Sequence, residues 1–149
     1  MPAALALAIA LVCQFSGQLC HQARLTPVVQ QASPYASYYD NQRNEVIVSS
    51  LYSDPPIIAA LLVHELSNAT DPRPGGSISD CRAQDGASYR QELRFWRGYW
   101  AASWPRVSVS PEPASLAYAQ EKYLESVDPA RIPQILDAGC TTANGWRQS

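Results

Sequence analysis

The clearest pattern in the chain is an apolar stretch, Ile57 to Asn68 (IIAALLVHELSN). At helical spacing its apolar residues fall on nearly every side, and a helix of that kind must be buried. Asp54 can act as its cap, and Pro55 and Pro56 suit the cap and first turn. Its end is set by Asp71-Pro72-Arg73-Pro74-Gly75-Gly76, a strong breaker run. Upstream, Asn44 to Ser50 (NEVIVSS) holds three β-branched residues in a row and follows a polar, turn-like segment, which predicts a strand. Tyr35 to Asp40 is aromatic and polar and reads as loop or short strand, and Leu5 to Val29 has scattered apolar residues compatible with helix.

Downstream, a long helix is predicted to start after Ser79 or Asp80 and to run to about Ser103, ahead of Pro105. Its Cys81, Asp85, Tyr89, Glu92 and Trp96 recur at spacings of four and three and so share one face. A Pro-rich link, Ser110 to Pro113, leads to a third helix near Ala114 to Val127, and a short one follows at Ile132 to Ala138. A strand, a buried helix, a loop and then more helix make an α+β pattern dominated by helices.

The chain has 149 residues, enough for one domain with a real core. We divide it into an N-terminal apolar segment, residues 1–30, and a single domain, residues 31–149. A net charge of −2 and the lack of any Lys/Arg run argue against a nucleic-acid surface. The longest apolar run, Ala3 to Cys13, is too short for a membrane span. Its length fits a signal peptide, but no Lys or Arg precedes it and no small-x-small cleavage site follows. A signal peptide and a helix packed on the domain both stay open.

Four cysteines, Cys13, Cys20, Cys81 and Cys140, allow three full pairings, and no C-x-x-C occurs. An even count, 12 prolines and low charge lean towards a secreted or cell-envelope protein, with the cytoplasm still open. Cys81 and Cys140 each lie at the edge of a predicted helix, which predicts a disulfide between them. Its loop of about 60 residues would be worth roughly 4 kcal/mol.

The chemistry lies at His64 and Glu65. A Glu directly after a His in an apolar helix must be paired or face a cavity, and buried ionisable groups mark sites. Asn68 is one turn beyond His64 and shares its face. In zinc peptidases two His at this spacing bind the metal, and the Glu between them takes a proton from the bound water. A third protein ligand is needed as well. His21 has no spaced partner, Gly75-Gly76 is only a turn, and no G-x-S-x-G occurs. Trp96, Tyr99 and Trp100 read as core or groove lining.

The stretch Ile57 to Asp71 (IIAALLVHELSNATD) resembles the active-site helix of gluzincins, the thermolysin-like zinc peptidases. The preceding strand, Glu45 to Ser50, is similar to the edge strand of that fold, which binds extended substrate. The helix opening Asp80-Cys81-Arg82-Ala83-Gln84-Asp85 resembles the one carrying the third ligand, with Asp85 17 residues after Asn68. Its continuation Tyr89 to Trp96 (YRQELRFW) resembles small bacterial zincin-like domains in which a Cys precedes the ligand carboxylate by four residues. The resemblance covers about Tyr38 to Trp100.

It implies a minimal zincin-like domain: a small sheet, a buried active-site helix and a second helix crossing it. It further implies His64, Asn68 and Asp85 as zinc ligands, Glu65 as general base and Asp71 as an outer partner orienting His64. Two departures weaken zinc. Asn68 stands where the second His belongs, and a carboxamide oxygen is a poor zinc ligand. Asp85 stands where Glu is usual and reaches about 1 Å less far, beyond the roughly 0.5 Å such sites tolerate. The expected function is thus a degenerate peptidase that keeps a groove for a peptide or partner protein. The alternatives are an active peptidase with a His/Asn/Asp ligand set, and a purely structural helical domain.

Overall fold

A computed structural model describes residues 1–71 and 77–101. The elements run α1 (Ala3–Phe15), α2 (Gly17–Leu25), β1 (Val28–Gln31), β2 (Ser37–Asp40), β3 (Glu45–Ser49), α3 (Pro55–Thr70) and α4 (Ile78–Ala101). The architecture is α+β and mostly helical among the described residues, as expected. The expected helices at 114–127 and 132–138, and Cys140, lie outside those residues.

The N-terminal stretch is not one helix. Ser16 ends α1, and its hydroxyl caps α2 by accepting from the Leu19 amide at 3.2 Å. Cys13 and Cys20 form a disulfide across this corner. Thr26 and Pro27 then end α2, and Val28 and Val29 pair with Val46 and Ile47 as a strand. The apolar run itself is folded: Leu5, Ala8, Leu11 and Val12 of α1 are buried in the same core as α3. Residue 30 itself lies within β1.

The sheet order is β1-β3-β2, with β1 parallel and β2 antiparallel to β3. This corrects the expectation for Glu45–Ser50. That strand is central, because its β-branched residues are buried on both faces: Val46 and Val48 join the core with α3, while Ile47, pointing the other way, is 1% exposed. Among the described residues the edge beside α3 belongs to β2. The hairpin between them turns at Asp40, whose carboxylate accepts from the amides of Gln42 and Arg43, and at Asn44, which takes the left-handed φ of 52°.

Helix α3 is buried nearly all round, lying between α1, α4 and the sheet. Asp54 occupies the N-cap position but its side chain makes no capping bond. Pro56 removes one of the two amides it would serve, and among the described residues both its buried carboxylate oxygens are without a hydrogen-bond partner. Asp54→Ala should therefore leave the thermal midpoint unchanged or raise it. A working cap would instead lose about 1 kcal/mol on that change, so a clear fall in a thermal melt would contradict this account.

Helix α4 begins earlier than expected because Ser77 caps it, accepting from the Asp80 amide at 3.0 Å. Its face of Cys81, Asp85, Tyr89, Glu92 and Trp96 is buried, as the spacing predicts. Phe95 holds the C-terminal half against α1 through an edge-to-face contact with Phe15, ring centroids 5.5 Å apart.

Candidate functional site

The polar residues of α3 are buried because the helix has no solvent face. His64 is 6% exposed, Glu65 1% and Asn68 2%. From α4, one helical face brings Asp85, Ser88 and Glu92 against them, all buried. From β2 comes Ser37, also buried. Four of the expected site residues, His64, Glu65, Asn68 and Asp85, thus join one polar cluster.

Each has protein partners. His64 Nε2 lies 2.7 Å from Asp85 Oδ1. Its Nδ1 is 3.6 Å from Glu92 Oε2, an ion-pair distance rather than a hydrogen bond. Glu65 accepts from Ser37 Oγ at 3.0 Å and from Asn68 Nδ2 at 3.2 Å. Asn68 Oδ1 accepts from Ser88 Oγ at 2.5 Å.

Asp71 ends α3 as the C-cap, its amide donating to the Asn68 carbonyl at 3.2 Å, while Asp85 and Glu92 face the two nitrogens of the His64 ring. Cys81 is buried and disulfide-bonded one turn before Asp85. Glu92 was legible as a member of the Asp85 face, two turns on. Ser88 lies three residues after Asp85 on that helix. Nothing local marks Ser37, which reaches Glu65 across 28 residues.

Burial alone would lower the pKa of His64. The hydrogen bond His64 donates to Asp85, Glu92 beside the ring, and the charges of Glu65 and Asp85 outweigh it and hold the value well above the usual 6.5. Burial pushes the Glu65 carboxyl up to about 7, against the charge of His64 and the bonds from Ser37 and Asn68. Both shifts have one consequence for stability. Glu65 costs the folded state nothing while protonated, and its penalty grows as pH rises from 4.5 to about 7. The stability His64 contributes is whole below 6.5 and is lost as pH rises through its raised value. Stability should therefore fall from pH 5 to pH 8, with Glu65 accounting for roughly 3 kcal/mol. Thermal melts across that range check it. Glu65→Gln should flatten the slope below pH 7, and an unchanged slope would refute the assignment.

The cluster does not fit a resident zinc ion as it stands. Two ligand atoms on one tetrahedral zinc, each roughly 2.0–2.2 Å from it, stand about 3.3 Å apart. His64 Nε2 and Asp85 Oδ1 are at hydrogen-bonding distance instead, and the Asn68 oxygen is taken by Ser88. Among the described residues, no group of three or more His, Cys, Asp and Glu side chains is arranged to hold a metal. Comparison with known proteins returns no match: no family model, no curated protein and no solved structure.

Proposed function

We propose that the chain is a degenerate zincin-like peptidase homologue that binds an extended peptide or partner protein rather than cutting it. One observation carries this reading: the atoms a zinc peptidase would aim at metal and water are bonded to each other in a buried cluster. Zinc would have to break those bonds, so weak zinc binding through His64, Asn68 and Asp85 is expected. The groove side of the reading rests on β2. Its register turns the amide and carbonyl of half-buried Tyr39 away from β3, because the hydrogen-bonded Ala36–Ser49 pair puts Tyr38 and Ile47 in the next bonded pair. Ser37, two residues before Tyr39, touches Glu65, so a strand added at Tyr39 would run close to the old catalytic position. The Cys13–Cys20 disulfide fits an oxidising compartment, which supports secretion or the cell envelope. No described helix is long and apolar enough to cross a membrane.

The test has two arms. With excess zinc, the wild-type chain should not cleave unfolded protein substrates. Peptides selected from a displayed random library should bind it, and Tyr39→Pro, which removes one outward amide, should abolish their binding. Zinc-dependent cleavage lost in Glu65→Gln would establish the active alternative instead. A selection that returns no ligand would remove the binding role.

A further inference from the structure

On the degenerate-peptidase reading Glu65 has no proton to take from a metal-bound water, and its hydrogen bonds give it another part. Its carboxylate accepts two hydrogen bonds, from Ser37 on β2 and Asn68 on α3. His64 and Asn68 in turn reach Asp85 and Ser88 on α4. Three secondary-structure elements are therefore tied at one buried point on α3, the central helix of the core. Every member is at most 6% exposed. In such a setting each group depends on the others, because removing one strands its partner without water.

We propose that this cluster is a metal-independent clamp. The His64–Asp85 and Asn68–Ser88 bonds hold α3 to α4 and the Ser37–Glu65 bond holds α3 to β2, doing for the fold what a structural ion would do. The proposal is independent of any peptide groove, since it concerns only the joint between the elements. It accounts for the retained Glu65 as a hydrogen-bond acceptor rather than a base. It also assigns Glu92 a positioning role, as the carboxylate behind the His64 ring that keeps Nε2 turned to Asp85.

The wild-type chain itself supplies the test, so no variant has to fold. Protein treated with a strong chelator and then dialysed should melt within about 1 °C of untreated protein, and stoichiometric zinc should not raise the midpoint. In the chelated sample, imidazole proton NMR should show a slowly exchanging, downfield Nε2 proton of His64. Glu92→Gln should shift or broaden that signal while the melt changes little. Loss of cooperative melting on chelation would overturn the clamp. So would a zinc-induced rise of several degrees together with disappearance of the Nε2 proton. Neither result depends on whether library peptides bind, so the clamp and the binding role can fail separately.

Discussion

Asn68→His combined with Asp85→Glu is expected to raise zinc affinity by at least about tenfold. Outer-shell defects alone typically cost 10–100-fold, and these two changes act on the ligands themselves. The imidazole is a stronger zinc ligand than the carboxamide it replaces. It also removes the oxygen that Ser88 now occupies and the amide now donated to Glu65. The longer Glu lets its carboxylate stand off from His64 instead of pairing with Nε2 at 2.7 Å. Both substitutions address one ion, so their effects should exceed the sum of the single changes. Competition against a chromophoric chelator measures the affinity. If cleavage appears with zinc and Glu65→Gln abolishes it, the scaffold is a peptidase that lost its metal. If affinity rises without cleavage, the groove or the water position has diverged too. Tight zinc binding by wild type, weakened by the double change, would mean that Asn68 and Asp85 form a working alternative site.

Asp85→Ala is expected to destabilise the chain by roughly 3–5 kcal/mol, the usual cost of removing one partner of a buried ion pair. His64 is held protonated by its neighbours and is nearly sealed from water, so losing Asp85 leaves its Nε2 proton without an acceptor. Glu92 cannot compensate, because it faces the other ring nitrogen at 3.6 Å. Asp85→Asn keeps an acceptor oxygen and should cost less. Urea unfolding in the presence of chelator ranks the variants and keeps metal out of the comparison. A loss below about 1 kcal/mol for Asp85→Ala would place the pair among ordinary exposed ion pairs, which are worth about that much, and would contradict its assigned role.

The parts of this molecule that could be read in its sequence are those whose signal is local. Ile57 to Asn68 had to be a buried helix because it offers water no polar face, and the Asp85 face of α4 followed from spacing alone. Val46 to Val48 announced a strand by side-chain shape, but not its position in the sheet. That depended on β1, and Val28-Val29 become a strand only by pairing with residues 18 positions away. Ser16 is a similar case, since a hydroxyl cap between two short helices differs little in sequence from a polar position within one. At the site, His64, Glu65, Asn68 and Asp85 were recoverable from a motif. The partners that fix their chemistry were harder to find: Ser37 reaches Glu65 from a strand 28 residues earlier, and Glu92 carries no motif of its own. The motif therefore suggested metal where the geometry pairs these side chains with one another.

The central claim is that these side chains serve each other rather than a resident ion. Metal analysis of the wild-type chain, purified in zinc-containing medium without chelator and then dialysed, tests it most directly. The account predicts zinc far below one equivalent per chain, unaffected by Asp85→Asn. Stoichiometric zinc that survives dialysis and is lost in Asp85→Asn would contradict it.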